Sequence, residues 1–350
     1  MAGNWVDLLR MRLGSSPSIS RAITHPNISF LSTPAGRIRI RDSGGSSPGI
    51  IFACDGPNVL EHYDAVFSLL SATYRLICLE MPGFGFSYPS PTFDFSLHQY
   101  ASVIAHAVKE LKARKVTLMF PCAWSYVAFL LATEQPALVE RLIVSQCPHW
   151  DEEQAWGTRM GMNSGLIGTP VVGQLFLAAA PQRVANMWYQ NALPAGAPIE
   201  SFAEPARKVL GSGGIFCLAS LSQTWAREQK TGFKVKHPTV VLWGGSDRTH
   251  RRSNRTSALG YLKRGKVIVF PEAGHFPELE DAERFRNLLA DEKLWNDFRN
   301  DQGDQCAEVG LKIAEDSKLE GSCSSNVYVG DLNEVHQGQR GRRKPPDSHL

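Results

Sequence analysis

A cysteine occupies a position in the sequence where a thiol could act as a nucleophile. Residues 116–120 are a short apolar run that predicts a buried strand, and residues 126–132 are an apolar stretch that predicts a helix. Cys122 lies at the sharp turn expected between them. The N-terminal end of a helix favours negative charge, so a thiol there can ionise and attack a substrate if a neighbouring base takes its proton.

Buried strands and helices alternate along most of the chain. Apolar runs predict strands at residues 50–54, 74–79, 116–120, 141–145, 239–243 and 266–270. Helical patterns occupy residues 63–71, 97–114, 126–132, 253–263 and 281–289. Such alternation indicates βαβ units around a mostly parallel sheet, and residues 28–42 add a hairpin at its start.

The alternation is interrupted once, which suggests an insertion. From residue 151 to residue 236 the sequence favours helices and contains no convincing strand. We therefore predict an α/β core at residues 26–150 and 237–298, with residues 151–236 as an inserted helical cap. Residues 1–25 form an N-terminal extension, and residues 299–350 are polar enough to predict a disordered tail.

Composition excludes several classes of function. The chain has 350 residues, of which 43% are hydrophobic, and a net charge of +3, which is too small to indicate nucleic acid as a partner. It has no apolar run long enough to predict a membrane span. The seven cysteines show no metal-type spacing, so the sequence predicts neither a metal nor a cofactor and favours a reducing compartment.

The predicted location is the cytoplasm. The C-terminal Ser348-His349-Leu350 resembles the Ser-Lys-Leu address of peroxisomal proteins, so a peroxisomal location is the alternative. The sequence leaves the oligomeric state open.

Several motifs resemble those of α/β-hydrolases of the proline iminopeptidase and epoxide hydrolase type. Residues 82–87 read Pro-Gly-x-Gly-x-Ser, Asp247 follows Trp-Gly-Gly-Ser, and His275 lies in the stretch Pro-Glu-Ala-Gly-His-Phe-Pro. These motifs occur in the order that the family requires, with nucleophile, acid and histidine following one another. The resemblance covers residues 28–289 and implies an α/β-hydrolase fold with Cys122 at the nucleophile elbow.

The resemblance also implies roles for individual residues. His275 would be the base for Cys122, and Asp247 would orient the imidazole and stabilise its protonated form. The backbone N–H groups of Ala123 and Gly56 would stabilise an oxyanion. In a second alignment the donor position falls on Pro57 and not on Gly56, and Pro57 has no N–H to donate. We prefer the first alignment, since it places Tyr63 on an aromatic position of the family.

The sequence also departs from the family at the elbow and beside the oxyanion site. Phe120 and Trp124 replace the two glycines of the usual Gly-x-Ser-x-Gly elbow, which predicts either a relaxed turn or a cavity rebuilt around aromatic rings. Asp55 lies beside the expected oxyanion site, where a carboxylate would repel negative charge but a protonated carboxyl could donate a proton. Trp188 and Tyr189 of the cap, together with Phe120 and Trp124, are predicted to line the substrate pocket.

Three functions remain open. The first is hydrolysis of an ester, lactone, thioester or epoxide in a small apolar metabolite by a Cys122–His275–Asp247 triad, since the sequence resembles hydrolase-like proteins of fungal polyketide pathways. The second is acid/base catalysis by Asp55 and His275, which would open an epoxide or promote a cyclisation. The third is ligand binding without turnover on a hydrolase scaffold.

Overall fold

The computed structural model describes residues 3–13, 22–46, 49–228 and 232–300, with side chains to residue 298. Residues 301–350, which include nearly all of the predicted tail and the C-terminal tripeptide, lie outside the described residues. The strands are β1 (Ile28–Thr33), β2 (Gly36–Asp42), β3 (Gly49–Ala53), β4 (Arg75–Leu79), β5 (Phe84–Gly85), β6 (Tyr88–Pro89), β7 (Val116–Pro121), β8 (Val139–Ser145), β9 (Ile215–Phe216), β10 (Val235–Gly244) and β11 (Leu262–Phe270).

Helices flank these strands. They are α1 (Asn4–Leu13), α2 (Asp64–Leu70), α3 (Leu97–Glu110), α4 (Trp124–Glu134), α5 (Trp150–Arg159), α6 (Val172–Ala179), α7 (Pro181–Ala192), α8 (Glu200–Gly211), α9 (Leu218–Trp225), α10 (Pro277–Glu280), α11 (Ala282–Ala290) and α12 (Glu292–Asn300). Short 3₁₀ helices cover Leu60–Tyr63, Pro136–Leu138 and Ser257–Tyr261.

One mixed sheet forms the centre of the fold. Its strand order is β1-β2-β4-β3-β7-β8-β10-β11, and β6 pairs with β2. In this order, each neighbouring pair from β4 to β11 is parallel. Strand β2 pairs antiparallel with β1, β4 and β6. The predicted α/β architecture and the predicted hairpin are therefore confirmed.

Both faces of the sheet are covered. Helices α3 and α4 pack into one cluster of buried apolar side chains, and α2, α11 and α12 pack into a second cluster. All residues of β3 and β7 are buried, as expected for central parallel strands. Because parallel strands share a direction, β3, β7, β8, β10 and β11 end at the same edge of the sheet, and the loops after them can place side chains together.

Helices α5 to α9 lie between β8 and β10 in the chain, and we call them the inserted helices. We propose that they form the cap predicted for residues 151–236. Their segment contains one short strand, β9, which pairs antiparallel with β5. A strand of two residues is too short to show an alternation of apolar and polar residues, so the sequence did not predict it.

The predicted helix at residues 253–263 is wrong. Only Ser257–Tyr261 are helical, as a 3₁₀ turn, and β11 already begins at Leu262, which pairs with Val235. The basic residues that suggested a helix therefore belong to a loop and to the start of a strand. Within the described part of the chain, no helix combines the length and apolar character needed to cross a membrane.

A buried ion network ties β2 to the loops beside it. The Arg39 side chain is 0% exposed and donates to Glu80 Oε1 at 2.6 Å, to Glu61, and to the Ala22 carbonyl at 2.6 Å. Glu80 is also 0% exposed and accepts the Phe86 N–H at 2.7 Å. Neither side chain is exposed to water, so each buried charge is stabilised by the opposite charge of the other.

Candidate active site

The elbow after β7 keeps a tight geometry although it lacks glycine. Cys122 has a φ of 47°, in the left-handed region that glycine normally occupies. Its N–H donates to the Ser145 carbonyl at 2.7 Å, and the Ser125 hydroxyl donates to the Phe120 carbonyl at 2.7 Å. These bonds hold the turn, so the predicted relaxed elbow is wrong and the alternative, aromatic repacking, describes the site.

Trp124 occupies the position of the second glycine of the usual elbow, and its ring fills the space that a glycine there would leave empty. Its ring is 1% exposed and packs edge-on against Tyr100, at 4.8 Å between ring centroids, and against Phe84 at 5.4 Å. Its indole N–H donates to the Cys54 carbonyl at 2.9 Å, which joins the start of α4 to the end of β3.

Restoring glycine at this position should therefore destabilise the protein. We expect Trp124→Gly to lower the free energy of unfolding by about 3–5 kcal/mol, because a large buried ring is lost and a cavity remains. Chemical denaturation measures this loss, with Trp5→Gly on the exposed face of α1 as the matched control. An unchanged free energy of unfolding would contradict the packing role of Trp124.

His275 and Asp247 form a fixed pair in the loops after β11 and β10. His275 Nδ1 lies 2.8 Å from Asp247 Oδ2, and both side chains are buried. Asp247 also accepts the Thr249 N–H at 2.7 Å, the Thr249 hydroxyl at 2.8 Å, and the side-chain amide of Gln146. Burial alone would raise the pKa of Asp247, but His275 and these donors hold it below its usual value.

Asp55 faces the other ring nitrogen of His275. Asp55 Oδ2 lies 3.2 Å from His275 Nε2, but the two atoms are not aligned for a hydrogen bond, and neither has another partner among the described residues. Burial raises the pKa of Asp55, an effect that His275 partly offsets. Burial disfavours the imidazolium, yet Asp247, Cys122 and Asp55 outweigh it and hold the pKa of His275 well above its usual value. The imidazole therefore stands between two carboxyl groups.

The Cys122 thiol is poorly placed to ionise. Burial raises its pKa, the negative charges of Glu153 and Asp55 raise it further, and His275 only partly offsets them. Among the described residues, ligand atoms of Cys122, His250 and His275 lie within 4.8 Å of one another and could approach a metal ion.

A cavity of about 190 Å³ lies between the elbow and the inserted helices. The predicted site residues that border this cavity are Asp55, Cys122, Trp124 and Trp188, together with the predicted oxyanion donors Gly56 and Ala123. The N–H groups of Gly56 and Ala123 donate to no other group of the described residues. All predicted catalytic residues are thus brought to one place.

Two predicted pocket residues are not brought there. Phe120 is 0% exposed, lies in the core beneath the elbow and does not border the cavity. Tyr189 also misses the cavity, because its hydroxyl is turned towards Asn58, to which it donates at 2.9 Å.

Sequence reasoning missed three residues near the reacting centre. Gln146 orients Asp247, and it also accepts the Gly244 N–H at 2.9 Å. His250 stacks on Trp156 at 4.6 Å between ring centroids, and Glu153 borders the cavity beside Asp55. Each belongs to a segment without a motif. The position of Gln146 directly after the buried strand β8 was the one signal available.

Comparisons with known proteins agree with this fold. The profile of the alpha/beta hydrolase family matches residues 44–288. A 2-hydroxymuconate semialdehyde hydrolase from a Pseudomonas strain is 22% identical, over 79% of this chain and 94% of that protein.

Solved structures of similar fold include epoxide hydrolase A from Mycobacterium thermoresistibile, with a TM-score of 0.63 and 16% identity over 75% of this chain and 97% of that one. They also include a putative acyltransferase from Salmonella enterica, with a TM-score of 0.66 and 16% identity over 79% of this chain and 97% of that one. The predicted fold and the predicted enzyme class, a hydrolase, are confirmed at this level. With a profile match that spans most of its length, the chain belongs to the alpha/beta hydrolase family.

Proposed function

We propose that the protein opens an epoxide in a small apolar metabolite with water, using Asp55 and His275 as an acid/base pair and forming no covalent bond to Cys122. The observation that carries this proposal is the 3.2 Å separation between Asp55 Oδ2 and His275 Nε2. In a thiol mechanism that imidazole nitrogen would take the proton of Cys122, which also interacts with His275, but here a carboxyl group lies beside the nitrogen as well.

The reaction balances without a nucleophilic residue. The Asp55 carboxylate removes a proton from water while the water oxygen attacks an epoxide carbon. The carbon–oxygen bond of the epoxide breaks, and its oxygen takes the proton of His275 Nε2. The proton on Asp55 then passes to His275, which restores both groups, and a diol leaves.

An epoxide fits this site better than an ester does. Ester hydrolysis places a full negative charge near the Gly56 and Ala123 N–H groups, beside the Asp55 carboxyl, and the two charges would repel. Epoxide opening instead needs a proton donor at the leaving oxygen, which protonated His275 supplies. Trp156 and Trp188 border the same cavity, and their indole N–H groups have no partner among the described residues, so they are additional donors for a substrate oxygen.

The substrate class follows from the cavity wall, which is mostly apolar. The 16% identical structural neighbour from Mycobacterium thermoresistibile is named an epoxide hydrolase, which agrees with the proposed reaction. An apolar polyketide of a secondary-metabolite pathway is the kind of substrate that we propose.

Acid/base catalysis by this pair predicts a bell-shaped pH profile. Activity should fall at high pH as His275 loses its proton, and at low pH as Asp55 gains one. Since the pKa of His275 is raised by Asp247 and its other neighbours, the basic limb should lie well above pH 6.5. Asp247→Asn removes that charge and should move the basic limb of kcat/KM to lower pH. A basic limb that stays in place would contradict the role of His275 as the acid.

One specific observation favours a second function. The left-handed backbone of Cys122 is the conformation that presents a nucleophile at the tip of an elbow. This would support acyl hydrolysis through a Cys122–His275–Asp247 triad.

Single variants separate the two functions on a panel of aryl epoxides, aryl esters and lactones. We expect Asp55→Asn to lower kcat/KM for epoxides by about 10²-fold or more, and Cys122→Ala to change it by less than about tenfold. The reverse pattern, with a covalent adduct on Cys122 in the intact mass, would support the triad and overturn the proposal. Asp64→Asn is the matched control, since Asp64 is an exposed carboxylate at the start of α2.

A further inference from the structure

The cavity wall contains a second buried carboxyl group that the proposed reaction does not use. Glu153 lies on α5, is 6% exposed and borders the cavity. Its Oε2 atom has no hydrogen-bond partner among the described residues. Burying a carboxyl group without a partner is costly, so this position calls for an explanation beyond packing.

The charges around the cavity are unbalanced. Among the described residues that border it, the ionisable side chains are Asp55, Cys122 and Glu153, and none of them is basic. Behind the wall, protonated His275 faces two carboxyl groups, Asp55 and Asp247, so one negative charge remains when both are ionised. Burial lowers the pKa of His250 to about 3, so this histidine adds no positive charge.

Aromatic rings make up much of the remaining wall. The rings that border the cavity are Phe84, Trp124, Trp156, Trp188, Phe216 and Trp225. Aromatic faces attract cations, most strongly in the case of tryptophan, and they do so best where water is excluded. Unpaired carboxyl groups beside tryptophan rings are the environment that a substituted ammonium group prefers.

We propose that the substrate carries one cationic amine on its otherwise apolar skeleton, besides its reacting group, and that Glu153 and the surrounding tryptophans bind this amine. This inference rests on the proposed function for the reaction and adds the charge class of the substrate. Glu153 would pair with the ammonium group, while Asp55 and His275 act on the epoxide. A neutral ligand would leave Glu153 unpaired, and a carboxylate ligand would be repelled by both acids.

Binding of a cation at Glu153 should be linked to pH. Burial, with a smaller contribution from the charge of Asp55, raises the pKa of Glu153 to about 8, although the charges of His275 and Arg159 oppose this rise. Glu153 is therefore mostly protonated at neutral pH in the free protein. A permanently charged ammonium ligand prefers the ionised form, so its affinity should rise as the pH increases through about 8.

The test compares ligands of one shape and different charge on the full-length protein. Benzyltrimethylammonium and neopentylbenzene differ only in the charged nitrogen, and phenylacetate supplies the opposite charge. Quenching of tryptophan fluorescence measures each affinity without any turnover. At pH 9 we expect the ammonium to bind about tenfold or more tightly than the neutral compound, with phenylacetate weakest.

Glu153→Gln keeps the size of the side chain and removes its charge. It should lower the ammonium affinity about tenfold, leave neopentylbenzene within about twofold, and remove the rise in affinity near pH 8. The variant keeps every other titratable or charged group that interacts electrostatically with Glu153. These groups are Asp55, Cys122, Tyr126, Cys147, Arg159 and His275. The difference between variant and wild type therefore isolates Glu153.

Glu152→Gln is the matched control, because it removes the same charge one residue away on α5 and outside the cavity. Equal affinities for the charged and neutral ligands in the wild type would overturn the proposal. So would ammonium selectivity that persists unchanged in Glu153→Gln, or tighter binding of phenylacetate. Because no step of the test requires hydrolysis, it is independent of whether Asp55→Asn abolishes epoxide opening.

Discussion

Replacing His275 with alanine should lower kcat/KM by about 10²–10⁴-fold, the largest effect on activity that we expect from a single change. Both catalytic hypotheses need this residue. In the acid/base mechanism His275 Nε2 protonates the epoxide oxygen, and in the triad mechanism it takes the proton of Cys122. Its ring is 0% exposed and is held in place by Asp247.

The measurement is steady-state hydrolysis of the best epoxide or ester substrate, together with circular dichroism to show that the variant is folded. His106→Ala is the control, because His106 is a partly buried histidine of α3 outside the cavity, and its Nε2 atom lies 3.2 Å from the Ser32 carbonyl. Added imidazole should restore part of the activity of His275→Ala, since it can occupy the space of the missing ring. A folded His275→Ala variant with more than about a tenth of the wild-type activity would contradict both catalytic mechanisms.

Replacing Arg39 with methionine should lower the free energy of unfolding by about 3–5 kcal/mol, as large a loss of stability as any single change that we expect. The substitution leaves Glu80 without its guanidinium partner in a place that water does not reach. Burial already raises the pKa of Glu80, and Arg39 opposes this rise. The orphaned carboxyl must then either stay charged at high cost or take up a proton.

Urea denaturation followed by tryptophan fluorescence measures the loss. Arg207→Met is the control, since Arg207 pairs with Glu200 at 2.6 Å at the protein surface, where an ion pair contributes little to stability. The double variant Arg39→Met/Glu80→Gln should recover part of the lost stability, because the uncompensated charge is gone. If Arg39→Met and Arg207→Met lose the same amount, the buried network has no special role.

Much of the fold follows from local sequence patterns. The continuous apolar runs before Asp55 and Cys122 form buried parallel strands, because a sheet covered on both faces demands apolar residues at every position. The helix predicted at residues 253–263 was wrong because basic residues suit a helix surface and a loop equally well. Tertiary pairing of Leu262 with Val235 decided the outcome.

The candidate site was predictable only where a motif marks it. Asp247 and His275 stand in motifs, and the structure places them 2.8 Å apart. The approach of Asp55 to His275 depends on how two distant loops meet at the sheet edge, which no local pattern encodes. Glu153 was missed for a related reason, since an acid in the first turn of a helix normally needs no explanation beyond the helix dipole.

One backbone bond joins the reacting centre directly to the inserted helices. The N–H of His275 donates to the carbonyl of Ala192, the last residue of α7, at 2.9 Å. A side chain on Gly274 would collide with that same carbonyl, because an added Cβ would lie 2.4 Å from it. If the end of α7 moves outward to admit a substrate, this bond breaks and the imidazole loses one of its supports. Under that condition the protein would admit substrate and turn it over in alternating states, and a substrate would react only after the end of α7 had returned.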